Sequence, residues 1–348
     1  MSHAYERVPE YGEGLRLHLN ENTGGCSPRV IEALRRLTCE DAAYYPDYTE
    51  AHTRCASHLG VSRERVLLVN GLDEGIQAVS FAYLQRGPDG SHREAVIVEP
   101  AFDMYAACAS VASARIVEVL PRPEFTFPVD ETIGALTPAT RVVFLTSPNN
   151  PTGVAISRED VARVAGSLPP GAVVLLDEAY VDFARASFID VLPQWPNVVI
   201  GRTFAKAQGL AAVRAGCLVG DASVIERLRA FVLPYSINVF ARTAIVAALD
   251  DRDHLAWYRG QVAASRQLVY AMCDRLGLKC WPSEANFVLV RIGAGAAALV
   301  AALAERRIFI RDRSNQPGCE GCVRITTGVV DHTRRCIAGL EGLLCAAR

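Results

Sequence analysis

Four apolar runs in this chain end in residues able to do chemistry. VLLV (66–69) runs into NGLDEG, VVFLT (142–146) into SPNNPTG, AVVLL (172–176) into DEAY, and NVVI (197–200) into GRTFAK. If each run is a strand of one open α/β sheet, its exit lies beyond the carboxyl end, where such sheets bind ligands. One rim then receives the turn Gly71, Leu72 and Asp73, the amide of Asn150, Asp177 with Tyr180, and Thr203 with Lys206. A glycine turn, an amide, a carboxylate and a lysine together suit a charged, aromatic, phosphorylated ligand. The turn at Gly71 opens a helix, whose free N–H groups and positive dipole end accept a phosphate. Arg214, eight residues past Lys206, offers a second phosphate contact. Asp177 closes a wholly apolar strand, where a carboxylate is costly unless it meets a cation; the blander alternative is a cap on the next helix. Lys206 can condense with an aldehyde if its surroundings lower its pKa, although by itself it reads as a surface lysine.

The elements that must position these residues are legible as strand–helix alternation from about residue 65 to 220. Further apolar runs are AVIVE (95–99) and GCLVG (216–220), and most runs are apolar throughout, as in strands covered on both faces. Helix signals lie between them: DEGIQAVSFAYL after Gly71, and Ser157 with Asp160 before VARVAGSL. The expected fold is α/β, with a large domain built on a mostly parallel, doubly wound sheet plus a smaller α+β domain. Beyond about residue 240 the pattern changes. A long helical stretch, one helix or two meeting near 250–253, runs from 242 to about 276, followed by NFVLVRI, a helix near 295–305, IFIRD, CVRITT and a last helix near 331–346. Upstream, SPRVIEALRRL (27–37) carries a Ser cap and a Pro in its first turn. The division expected is an N-terminal arm over 1–40 packing with the small domain, a large domain over 41–240 and a small domain over 241–348.

Bulk properties narrow the partners. The 348 residues carry 36 basic and 38 acidic groups, a net charge of −2, which gives no reason to expect nucleic acid or a membrane surface. No apolar run is long enough for a membrane span, and MSHAYERVPEYGEG lacks the apolar core of a signal peptide, so a cytoplasmic location is expected. The 11 cysteines follow no disulfide framework and read as free thiols in a reducing compartment. Cys319 and Cys322 form a lone C-x-x-C without two further ligands, so no metal site is expected.

Three ordered segments resemble the class I/II aminotransferases of the fold-type I pyridoxal 5′-phosphate (PLP) enzymes. SPNNPTG (147–153) is similar to that family's Asn-Pro-Thr-Gly signature, DEAY (177–180) to its Asp-x-x-Tyr pair, and RTFAKAQGLAAVR (202–214) to its Schiff-base lysine motif. Other segments resemble the histidinol-phosphate aminotransferase branch: LHLNEN (17–22), YYPDY (44–48), VNGLDE, PAFDMY (100–105) and RDRSNQPGCEGCVRITTG (311–328). The resemblance covers about residues 15 to 340. It implies that Lys206 holds PLP as a Schiff base and moves the substrate proton. It implies that Asp177 keeps the ring nitrogen protonated, and that Tyr180 and Asn150 hydrogen-bond the phenolic oxygen. Phe102 stacks on the ring, with Tyr105 as the other candidate. Backbone at Gly71, Leu72 and Asp73, with Thr203 and Arg214, holds the phosphate. Tyr45 reaches the site of a partner subunit in a homodimer. Arg324 grips an acidic group of the substrate, Arg311 helps with a second anionic group, and Asn20 belongs to the substrate side.

The chain departs from that branch in NENTGGCSP (20–28), which lacks the usual Pro and aromatic residue in the segment that covers the substrate side chain. Leu72 replaces a small residue and is expected to narrow or dry the cofactor site, and Ala205 stands where Ser is frequent. The activity implied is a PLP-dependent aminotransferase of amino-acid biosynthesis. It moves an amino group between a histidinol-phosphate-like or aromatic substrate and a 2-oxo acid such as 2-oxoglutarate. The alternative on the same fold is a PLP-dependent decarboxylase resembling threonine-phosphate decarboxylase. A PLP-fold binding or regulatory module is disfavoured, because Lys206 and Asp177 are both present and no basic extension exists.

Overall fold

The computed structural model describes residues 12–346; residues 1–11 of the expected arm and 347–348 of the expected small domain lie outside the described residues. The apolar runs form one seven-stranded sheet: β1 (Val66–Val69), β2 (Glu94–Val98), β3 (Arg115–Val119), β4 (Thr140–Thr146), β5 (Val173–Asp177), β6 (Val198–Thr203) and β7 (Gly216–Val219). Their order is β1-β7-β6-β5-β4-β2-β3. All neighbours are parallel except β7, which runs antiparallel to both β1 and β6. Side chains alternate between the faces, and both faces are buried. In β5, Val174 and Leu176 enter the core under helices Thr49–Leu59, Arg158–Gly166 and Val239–Asp250. Val173 and Leu175 enter the other core, under helices Gly71–Tyr83, Met104–Val111 and Ala222–Arg229. Double burial is why these strands read as unbroken apolar runs.

β3 was not anticipated from the sequence. RIVEV carries two charges and sits at the sheet edge with four of its five residues at least partly exposed, so no unbroken apolar run marks it.

A second sheet follows, with β8 (Lys279–Cys280), β9 (Phe287–Arg291), β10 (Arg311–Asp312) and β11 (Cys322–Thr326) in the antiparallel order β10-β11-β9-β8. The run IFIRD does not form one strand. Ile308–Phe309 pairs in parallel with Leu15–Arg16, while Arg311–Asp312 pairs with β11. That split ties the chain near residue 15 to the second sheet and lays 17–22 across the gap towards the large sheet. The long helical stretch breaks at Asp251 into Val239–Asp250 and Arg252–Leu276; the Asp251 side chain caps the second helix and accepts the Ser27 hydroxyl. Cys319 and Cys322 pack in a buried cluster with Trp281 and Leu289. No helix among the described residues is long and apolar enough to cross a membrane.

Candidate active site

The strand exits, the segment 18–21 and the edge of the second sheet enclose a cavity of about 300 Å³. It is lined by Leu72, Asp73, Phe102, Asn150, Asp177, Tyr180, Thr203, Lys206 and Arg214 from the large sheet's rim, and by Asn20, Arg311 and Arg324 from the other side. Gly71 lies directly beneath the Arg214 guanidinium, with φ +72°, so a side chain there would be both strained and blocked.

Asp177 ends β5 between Thr146 of β4 and Gly201 of β6. Its carboxylate is buried and accepts two neutral donors, the Tyr105 hydroxyl at 2.6 Å and the Ala179 N–H at 2.8 Å. Burial raises its pKa to about 6, against the lowering effect of those two hydrogen bonds. At neutral pH the cavity floor therefore holds a carboxylate whose hydrogen-bond donors bring no compensating charge. A ligand nitrogen carrying a proton is the group that fits it, and a protonated pyridine ring meets that requirement.

Tyr105 is the residue the sequence undervalued. It does not stack over the cavity; it lies flat against Phe144, 5.0 Å between centroids, with its hydroxyl also 2.8 Å from Thr146 Oγ1. Phe102, edge-on to Tyr105, lines the same cavity. Tyr105→Phe should therefore weaken cofactor binding by about ten- to a hundredfold, the worth of a hydrogen bond to a buried charge. Titrating PLP into cofactor-free wild type and variant measures this, and equal affinities would contradict the assigned contact.

Lys206 follows β6 through Phe204 and Ala205. Its Nζ donates to the Leu19 carbonyl at 3.0 Å and lies 5.8 Å from the Tyr180 ring centre. The Tyr180 hydroxyl accepts from Asn20 Nδ2 at 3.1 Å. Asn20 adopts φ +56° and is held by Thr326 and Asn286 of the second sheet's side. Arg324, buried in β11, donates to Asn150 Oδ1 and to the His18 carbonyl. The 18–20 segment thus binds the two sides of the cavity together. His18 is a second wall residue the sequence did not single out. Burial, then Arg16, Arg324 and Arg311, lower its pKa to about 4, so its imidazole is neutral at physiological pH. At the expected phosphate end, Arg214 bonds Asp73 at 2.7 Å and the Ala211 carbonyl at 3.2 Å, while Thr203 Oγ1 accepts the Ala205 N–H.

Two expectations change. Leu72 contributes to the wall, but its side chain also seats over Gly201 and against Gly75, where a Cβ on either glycine would collide with a leucine. Room for the larger residue is made in the sheet beneath it. The segment 23–26 does not line the cavity: Thr23 Oγ1 accepts from the Val329 N–H, Gly24 lies under the Trp257 ring, and Gly25 packs on Gly209. Tyr45 is also outside the cavity, exposed and stacked on Tyr235 at 4.2 Å.

One cavity thus carries a lysine and a buried carboxylate on the large-sheet rim and an arginine across the gap, an arrangement able to serve amino-group chemistry. Residues 13–338 match the family described as aminotransferase class I and II. The chain is 34% identical over 343 residues to a histidinol-phosphate aminotransferase of Bacillus subtilis, covering 96% of this chain and 93% of that one. It is 36% identical over 327 residues to one of Roseiflexus castenholzii, covering 90% and 85%. The solved histidinol-phosphate aminotransferase of Sinorhizobium meliloti, in complex with pyridoxal-5′-phosphate, superposes with a TM-score of 0.87 at 26% identity, over 96% of this chain and 92% of that one. The chain belongs to the aminotransferase class I and II family, in its histidinol-phosphate aminotransferase-like branch. It is a PLP-dependent aminotransferase.

Proposed function

We propose that the protein moves an amino group between a histidinol-phosphate-like or aromatic donor and a 2-oxo acid such as 2-oxoglutarate, within amino-acid biosynthesis in the cytoplasm. The observation that carries the reading is a single cavity walled by Lys206, Asp177 and Arg324 together. The relatives in Bacillus and Roseiflexus support the substrate class by their names. When bound, PLP supplies an aldehyde for covalent attachment and an electron-accepting ring.

The chain's own residues do the rest. Lys206 Nζ is the attachment point and the base that carries the proton from the substrate's Cα. Asp177 holds a proton on the ring nitrogen, Tyr180 and Asn150 serve its phenolic oxygen, and Phe102 covers its face. The backbone at Gly71, Leu72 and Asp73, with Thr203 and Arg214, holds the phosphate at a helix N-terminus. Arg324, with Asn20, orients the substrate by one oxyanion, and Arg311 helps hold a second anionic group. Residues 1–40, 41–240 and 241–348 act as arm, cofactor-binding domain and small domain. The exposed Tyr45 completes the site of a second subunit in a homodimer. Decarboxylation of a phosphorylated amino acid is less supported, since both curated relatives carry the aminotransferase name.

The test is a half-reaction screen: the PLP form is mixed with histidinol phosphate, phenylalanine and tyrosine, and its visible absorption is followed. Histidinol phosphate should bleach the band and 2-oxoglutarate restore it. Release of carbon dioxide without need for a 2-oxo acid would overturn the reading.

A further inference from the structure

Arg313 lines the cavity, yet its residue is only 5% exposed and its Nε is buried without a hydrogen-bond partner. No hydrogen bond or ion pair joins its guanidinium to any described residue. A buried cation in that state is costly unless something pairs with it. Its position is set by the sheet. The Arg313 N–H donates to the Cys322 carbonyl at 2.9 Å, one step beyond the pairs Arg311 with Arg324 and Asp312 with Val323. Alternation along an extended segment then puts Arg313 on the same face as Arg311 and its cross-strand partner Arg324. All three arginines meet the same cavity.

The groups around Arg313 do not neutralise it. Burial disfavours its charge, Asp103 and Tyr180 favour it, Arg311 opposes it, and the Cys319 thiol is the remaining neighbour. Asp103 forms no ion pair with it; that carboxylate is turned to Gln316 Nε2 at 3.5 Å. Arg324, by contrast, already donates to Asn150 and His18. One substrate oxyanion can sit on Arg324 and still leave Arg313 facing the cavity with no anion.

We infer that Arg313 is a specificity-determining residue that, beside Arg311, holds the second oxyanion of substrates carrying two, next to the one oriented by Arg324. The substrate class is amino acids and 2-oxo acids whose tail ends in a carboxylate or phosphate, glutamate and 2-oxoglutarate among them. The inference rests on the proposed aminotransferase reading and adds to it the partner substrate the site selects.

The experiment compares PLP-loaded wild type with Arg313→Gln and Arg313→Lys. Thermal stabilisation by glutarate, with two carboxylates, is measured against butyrate, with one, and KM for glutamate against KM for histidinol phosphate, which has a single oxyanion. Wild type should be stabilised more by glutarate than by butyrate, and Arg313→Gln should lose most of that difference. The Gln variant should raise KM for glutamate by a factor about ten larger than for histidinol phosphate, the worth of one charge-assisted contact. Arg313→Lys should recover part of both effects, and the ligand-free Tm of the Gln variant should not fall. A purely structural arginine would lower that Tm and penalise both donors equally, which overturns the proposal. Equal stabilisation of wild type by glutarate and butyrate overturns it too. Because the glutarate shift needs no turnover, failure of histidinol phosphate to react would count against the proposed function and leave the Arg313 result to be read independently. A phosphate-tailed probe, O-phosphoserine, distinguishes the tail classes: whichever tail loses more affinity in the Gln variant is the one Arg313 holds.

Discussion

Lys206→Ala is expected to fold, to bind PLP only non-covalently, and to lose at least about three orders of magnitude in kcat, the scale of a general-base group combined with covalent attachment. The fold should survive because the side chain makes a single hydrogen bond, to the Leu19 carbonyl. The chemistry should not survive, because no other lysine lines the cavity among the described residues. Of the 36 basic residues only two are lysine, and the other, Lys279, is bonded to Glu124 beside Trp281 and does not line the cavity. Borohydride reduction of the PLP-loaded protein followed by peptide mass spectrometry should therefore label Lys206 alone in wild type and nothing in the variant. A label on Lys279, or a variant within tenfold of wild-type activity, would remove Lys206 from its assigned place.

The lysine count bears on what was legible in the sequence. A chain that uses arginine for nearly every cation has no electrostatic reason for a lysine at position 206, since arginine would serve as well or better for charge. That signal lies in the composition, independent of the strand exits and of the family resemblance. The rim was readable because period-two burial on both faces leaves unbroken apolar runs, and whatever follows each run stands at the same edge. Contacts between distant segments were not readable. Tyr105 reaches Asp177 from a different βα unit, and its ring could equally have faced the cavity; only packing against Phe144 decides it. His18 and Arg313 are hidden in the sequence for a related reason. Each lies within a motif used for its neighbours, Asn20 in one case and Arg311 in the other. The edge strand Arg115–Val119 was missed because partial exposure breaks the apolar pattern that exposes the interior strands.

Asp177→Asn is expected to make the cofactor-free protein more stable and the enzyme nearly inactive. The first half follows from linkage. Burial raises the Asp177 pKa to about 6, against roughly 3.9 in the unfolded chain. Between those values the folded state binds more protons than the unfolded one, so this group's contribution to stability is present at low pH and lost as pH rises through about 6. The loss is at most about 3 kcal/mol, from roughly two units at about 1.4 kcal/mol each. Asparagine has no charge to bury and keeps the acceptor for the Ala179 N–H, while Tyr105 can turn its proton to Thr146. Without PLP, the variant should therefore match wild type near pH 4 and exceed it by about 1–3 kcal/mol at pH 7.5, read by urea unfolding at the two pH values. The second half follows from what the ionised carboxylate is placed to meet. Removing one partner of a buried charge pair costs about 3–5 kcal/mol, on the order of 10²–10⁴ in cofactor affinity or turnover. The order of stabilities should then invert when PLP is added, because only wild type gains from pairing its carboxylate with the protonated ring. Identical pH profiles for the two cofactor-free proteins would show that Asp177 is not held as a buried anion. A variant that gains as much stability from PLP as wild type would show that the anion does not face the ring.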